Sequence, residues 1–187
     1  MRTAAQLETA RFNTEAPPAF WARNLRSFAT TSGTIAEHAR LTAMLWVVQA
    51  DALTTCFESK YSFHLWRPTS AIALADTDGN AATTADTAWA PLPPTPNHPE
   101  YPAAHACETA AAAATLQGYY DTPNIAFDFT STGTGSTHTF TAVQAMLDDV
   151  QIARIAGGMH FRSATVDGAA LGRNVADWVL SRHFQSR

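Results

Sequence analysis

Apolar residues return every three or four positions from about residue 32 to 60, through Ile35, Ala39, Met44, Val47, Val48, Ala52, Leu53 and Phe57. That is the period of an amphipathic helix. Thr31, Ser32 and Thr34 stand where an N-cap belongs, and Arg67-Pro68 marks an end because the residue before a proline is pushed out of helical space. The spacing therefore predicts one long helix running into residues 60–68. After Pro102 the chain reads AAHACETAAAAATLQGYY, dominated by the strongest helix former, with Gly118 and the DTPN of 121–124 closing the helix. Val143, Met146, Leu147, Val150 and Ile155 predict a third helix over about 140–156, weakened at its end by Gly157-Gly158 and capped by Ser136, Thr137 or Thr139. Leu171, Val175, Trp178 and Val179 share one stripe of a last helix, over about 164–184.

Few segments alternate as strands do, so the fold class predicted is an all-α bundle with long irregular loops. The longest loop, 76–102, is rich in proline, with Asp, Asn and Thr, a composition that resists regular structure and predicts an ordered surface connection. A second flexible stretch is expected at 131–137. At 187 residues and 46% apolar content the chain fits one domain, 1–187, with its core over about 38–180.

The formal net charge is −4 and the cations are scattered, so no nucleic-acid footprint is visible. No apolar run is long enough for a membrane span, and the first residues lack the apolar core of a signal peptide, so a soluble chain with no membrane partner is expected. Cys56 and Cys107 can pair or stay free. The simpler reading is two buried free thiols on helices.

Three segments carry the candidate chemistry: KYSFHLWRP at 60–68, HPEYPAAHA at 98–106 and RIAGGMHF at 154–161. Lys60 and Arg67, seven apart, would lie on nearly one face if a helix continued through both, and arginine offers a planar fork where lysine offers a point charge. His105 opens the Ala-rich helix, where free N–H groups favour anions, and its ordinary pKa suits proton transfer. Arg154 and His160 bracket two glycines that would let backbone approach a ligand. Each segment alone is equally consistent with solvated cations or a packed histidine. Together they offer three cations with His105 and His160 as reactive imidazoles, a set suited to a tetrahedral oxyanion.

The order and internal spacing of these segments resemble the vanadium-dependent haloperoxidases and the acid phosphatases of the type-2 phosphatidic acid phosphatase superfamily. That pattern reads Lys, six residues, Arg-Pro; then Pro-Ser-Gly-His; then Arg, three residues, Gly, one residue, His. Here Lys60 and Arg67-Pro68, Pro102 and His105, and Arg154, Gly158 and His160 match it. The resemblance implies that Lys60, Arg67, Arg154 and the main chain at Ala103 and Ala104 bind vanadate, or phosphate in its place. It implies that His160 is the metal ligand or phosphate nucleophile, and that His105, His160 and Lys60 are catalytic. His98 is where bromide-oxidising members carry a histidine, and His64 is a second candidate for the pocket wall. The activity implied is oxidation of bromide or iodide by hydrogen peroxide, with an organic acceptor. The alternatives are an acid phosphatase acting on a phosphate ester through a phosphohistidine, or a degenerate oxyanion-binding bundle.

Departures from the pattern are specific. Ala103-Ala104 replaces Ser-Gly, removing a hydroxyl and the freedom of glycine at positive φ. Where an acidic residue commonly follows the last histidine by four, this chain has Ala164, and Asp167 is the nearest substitute. No motif identifies a carboxylate for His105. A chain shorter than its relatives also leaves room for a homo-oligomer through uncovered apolar helix faces.

Overall fold

A computed structural model describes residues 2–28 and 33–185. Helix α1 (Ala4–Phe12) is started by a Thr3–Gln6 capping box, and α2 (Pro17–Asn24) by a proline in its first turn, where the missing N–H costs nothing. A 3-10 turn, Leu25–Phe28, follows. These elements were not anticipated from the sequence, yet their aromatic residues Phe12, Phe20, Trp21 and Phe28 make up much of the largest core cluster.

The long helix is α3 (Ile35–Phe63), capped by Thr34, whose side chain accepts from the Glu37 N–H while the Glu37 carboxylate accepts from the Thr34 N–H. The other proposed caps, Thr31 and Ser32, lie outside the described residues. Helix α3 stops earlier than a run through Arg67 requires: His64 takes a left-handed conformation, φ 51°. Arg67 is instead the N-cap of the short α4 (Pro68–Ala73). Lys60 and Arg67 thus do not share a helix face, and the turn between them brings their side chains to one region.

Helix α5 (Ala104–Tyr120) runs through Gly118 and is the axis of the molecule, buried against α3, α6 (Val143–Ala156) and α7 (Arg162–Arg182). Its alanines give it no bulk, so neighbours come close. A Cβ on Gly168 would sit 2.8 Å from the Ala103 carbonyl, and one on Gly172 would overlap the Cys107 carbonyl. This near contact of α5 and α7 fixes where α5 begins, and with it the position of His105. Helices α3 and α5 are also joined covalently: Cys56 and Cys107 form a disulfide, not two free thiols, and both are buried.

The all-α expectation holds, with one addition between α5 and α6. Phe127–Thr130 (β1) and Thr137–Phe140 (β2) pair antiparallel, with Phe127 opposite Phe140 and Thr130 opposite Thr137. Phe127, Phe129 and Phe140 turn into the aromatic core. Ser136, Thr137 and Thr139 therefore belong to a hairpin, and α6 begins at Val143 without a side-chain cap. No helix among the described residues is long and apolar enough to cross a membrane.

Candidate functional site

The three motifs arrive from the last turn of α3, the start of α5 and the last turn of α6, and they meet. Lys60 is fully buried, and its Nζ donates to the carbonyls of Pro99 (2.9 Å), Glu100 (3.0 Å) and Pro102. It therefore anchors the segment preceding α5, and all three of its protons are occupied. Burial pulls its pKa down to about 7, with Arg67 adding to the fall, Glu100 opposing it and Arg154 adding again.

Arg67 is the hub. One terminal nitrogen donates to the Met159 carbonyl (3.0 Å) and to His160 Nε2 (3.0 Å); the other donates to His98 Nδ1 (3.0 Å), and Nε donates to the His98 carbonyl (3.2 Å). Guanidinium nitrogens only donate, so His160 Nε2 must be a bare acceptor; His98 Nδ1 lies between the Arg67 donor and the Pro99 carbonyl at 3.3 Å, and accepts from Arg67 in the tautomer that leaves it bare. Burial lowers the Arg67 pKa to about 10, and that of Arg154 to about 9 with help from Arg67; both stay charged at neutral pH. Arg154 donates to the Asn13 carbonyl (3.2 Å), while its buried Nε has no partner among the described residues.

His160 is held from its other side by a residue the sequence reading missed. Its Nδ1 donates to Glu100 Oε1 (2.9 Å), and the same oxygen accepts the Phe161 N–H (2.9 Å). Glu100 is 1% exposed. Its pKa is raised by burial and pulled back by the Phe161 N–H, Arg67 and Lys60. His160 itself is driven well below the ordinary histidine value, first by burial and then by Arg67, Arg154, Lys60 and His105. The result is a neutral imidazole in one tautomer, with the Nε2 lone pair directed to the cations. The orienting carboxylate thus comes from the second motif. Asp167 accepts instead from the Tyr101 hydroxyl (2.9 Å), outside this cluster. The only signal in the sequence was an acidic residue inside HPEYP, beside two prolines.

His105 is half-buried, and its Nε2 donates to the Glu15 carbonyl (2.9 Å), leaving Nδ1 for proton exchange. Burial, then Arg154, lowers its pKa well below the ordinary value. Neither alanine before it takes a positive φ, so the strain expected of Ala103-Ala104 does not arise. The Ala103 N–H, however, donates to the Ala164 carbonyl (2.9 Å), so of the two alanines only Ala104 remains as a main-chain donor at the helix start.

His98 packs its ring against Phe57, centroids 4.9 Å apart, and burial with Lys60 and Arg67 holds its pKa near 4. His64 does not reach the pocket. It is exposed, because the left-handed turn that ends α3 directs it outward. Nor do Gly157 and Gly158 line the cavity beside the cluster: Gly158, φ +73°, leaves room for Trp89, whose ring would lie 2.7 Å from an added Cβ. His138, on β2, lies outside the cluster. It bonds Glu8 (2.9 Å) and stacks on Phe12 at 3.6 Å.

A cavity of about 360 Å³ lies beside this cluster: His98, Ala104, His105 and Arg154 stand in its wall, while Lys60, Arg67, Glu100 and His160 are packed outside its lining. A larger groove of about 800 Å³ between α3 and α7 contains none of the motif cations and carries no comparable chemistry. A helical bundle with buried guanidinium groups and an oriented neutral imidazole clustered beside one cavity is the class of protein defined here. Within that class, the chain belongs to the vanadium-dependent haloperoxidase family, since the family described as the VCPO second helical-bundle domain matches residues 40–186.

Among solved structures, a bacterial vanadium-dependent iodoperoxidase superposes with a TM-score of 0.80 at 25% identity, covering 96% of this chain and 44% of its own. A holo-type bacterial vanadium-dependent chloroperoxidase gives 0.65 at 15% identity, covering 96% and 47%, and an apo-type one 0.55 at 19%, covering 73% and 35%. The two chloroperoxidases show likeness of fold alone. The chain spans less than half the length of each of these structures. No curated protein matches it.

Proposed function

We propose that this chain carries the oxyanion site of a vanadium-dependent haloperoxidase that oxidises bromide or iodide with hydrogen peroxide. The observation that carries the reading is His160: Nδ1–H fixed on Glu100, Nε2 bare and facing Arg67. A nitrogen prepared in this way suits a ligand bond, because a carboxylate on the far nitrogen sets the tautomer and raises basicity.

The donor set fits vanadate. Arg154 Nε is a buried donor with no partner among the described residues, Arg67 and Lys60 add positive charge, and the start of α5 contributes the Ala104 N–H. Bound vanadate would supply the centre at which peroxide is activated toward halide. His160 would hold it, Arg67 and Arg154 would neutralise its oxygens, and His105 Nδ1 would move protons to and from the peroxide. Lys60 would act through charge rather than as a donor, since its protons are taken by main-chain carbonyls. His98 would border the halide, and the likeness to an iodoperoxidase favours the softer halides over chloride.

The test is oxidation of bromide and iodide by peroxide, with and without orthovanadate. Turnover that needs vanadate supports the reading. Hydrolysis of an aryl phosphate without vanadate-dependent turnover would move the chain to the acid phosphatase side, where phosphate occupies the same cations and His160 attacks it.

A further inference from the structure

Arg154 meets a single hydrogen-bond acceptor among the described residues, the Asn13 carbonyl, and that one contact fixes which way its buried guanidinium fork points. Asn13 is the C-cap of α1 and is 5% exposed. Its side-chain nitrogen donates to the Thr9 carbonyl (3.1 Å) and to Asp149 Oδ2 (2.8 Å), so both amide protons are placed. The other Asp149 oxygen accepts from the Thr9 hydroxyl (3.3 Å). Asp149 belongs to none of the three motifs.

Asp149 and Arg154 stand five residues apart on α6, and both reach the same residue. Asp149 holds the Asn13 side chain while Arg154 holds its carbonyl, so the acceptor is fixed relative to the helix that carries Arg154. Without the carboxylate, the Asn13 side chain keeps only its bond to Thr9, which ties it to α1 and not to α6. The guanidinium then loses its fixed direction. His105 has a separate tie. It donates to the Glu15 carbonyl two residues on, and Glu15 is held through its carboxylate by Arg23 (2.5 and 2.6 Å) and by the Thr132 N–H (2.7 Å). Loss of Asp149 should therefore reach Arg154 and leave His105 in place.

We propose that Asp149 is a positioning residue for the oxyanion site: acting through Asn13, it sets the direction of the Arg154 guanidinium. Arg154 is oriented in this way with or without a ligand; the consequence for vanadate affinity rests on the haloperoxidase reading.

Asp149→Ala, Asp149→Asn and Asn13→Ala are compared by nitrogen-15 NMR of the apo protein and by calorimetric titration with orthovanadate. The spectra follow the His105 ring nitrogens and the Arg154 Nε–H, assigned by its loss in Arg154→Leu. In D149A and N13A the Arg154 signal should shift and exchange faster with solvent while the His105 signals stay. Vanadate should bind both about three- to tenfold more weakly, the size of one hydrogen bond. D149N, which keeps an acceptor oxygen, should return to near wild type. N13A leaves the Asp149 carboxylate beside His138 (3.8 Å) untouched, so it separates the Asn13 route from that contact and carries the test if D149A does not fold. Val179→Ala, which truncates the core between α3, α5 and α7, should destabilise the fold without moving Arg154. Any one of four results would overturn the proposal: an unchanged Arg154 signal in folded D149A or N13A, a His105 shift as large, an equal change in V179A, or vanadate affinity within about twofold of a binding wild type. A wild type that binds no vanadate while D149A still displaces Arg154 would sink the haloperoxidase reading and leave the role of Asp149 standing.

Discussion

Replacing Glu100 by alanine removes the one carboxylate that orients His160. Two hydrogen bonds disappear, from His160 Nδ1 and from the Phe161 N–H, each 2.9 Å and each ending on a residue 1% exposed. Hydrogen bonds to a charged group contribute roughly 1.5–3 kcal/mol each. The carboxylate's own burial, which raises its pKa, offsets part of this, so the net loss of stability expected is about 2–4 kcal/mol. The effect on the site is separate from that loss. With Nδ1 released, Arg67 still donates to Nε2, but the ring loses the hydrogen bond that fixes its orientation and raises its basicity, and loss of such an outer carboxylate typically costs about 10–100-fold in metal affinity. Glu100→Gln keeps an acceptor but not its charge, and should fall between wild type and E100A. The assay is a calorimetric titration with orthovanadate beside a nitrogen-15 spectrum of His160. The reasoning is refuted if folded E100A binds vanadate within threefold of wild type, or if its His160 Nδ1–H keeps the hydrogen-bonded signal of wild type.

Reducing the Cys56–Cys107 disulfide opens a loop with a sequence separation of 51, and should destabilise the fold by roughly 2–4 kcal/mol, read as a lower thermal midpoint with reductant; unchanged melting would contradict the tether. Glu108 gives a pH signature of known sign. Its folded pKa of about 8 exceeds the ordinary 4.5, so its neutral form contributes stability fully below 4.5, and this is lost as pH rises through 8. Wild type should therefore lose stability relative to E108Q by about 1.4 kcal/mol per pH unit across that window, checked by denaturant midpoints; parallel curves would refute it. Gly158→Ala places a Cβ against Trp89 at positive φ and should cost about 1–3 kcal/mol, measured by chemical denaturation, with Ala156→Ser on the same turn near neutral.

The side chains of the buried cationic cluster were legible in the sequence because charge and spacing are written in residue identity. Lys60, Arg67, His105, Arg154 and His160 were found on that basis, and the all-α reading followed from periodicity. What stayed hidden depends on backbone and burial. Lys60 is held by carbonyls, and Asn13 and Glu15 serve the site through main-chain oxygens, for which no side-chain pattern exists. Glu100 became meaningful only once the 76–102 loop was folded against His160. His64 was a candidate only through its place between Lys60 and Arg67, and the left-handed turn that leaves it exposed has no signal in the sequence. The 127–140 hairpin escaped because four-residue strands give too little alternation to detect.

The central claim is that three distant segments build one cationic cluster around a neutral, oriented His160, and that this cluster binds an oxyanion. Calorimetric titration of the purified chain with orthovanadate tests it most directly, with His160→Ala and Arg154→Leu as controls. One-to-one binding that both substitutions weaken at least tenfold is the predicted result; a folded wild type that binds no vanadate, or variants that bind it equally well, would contradict the account.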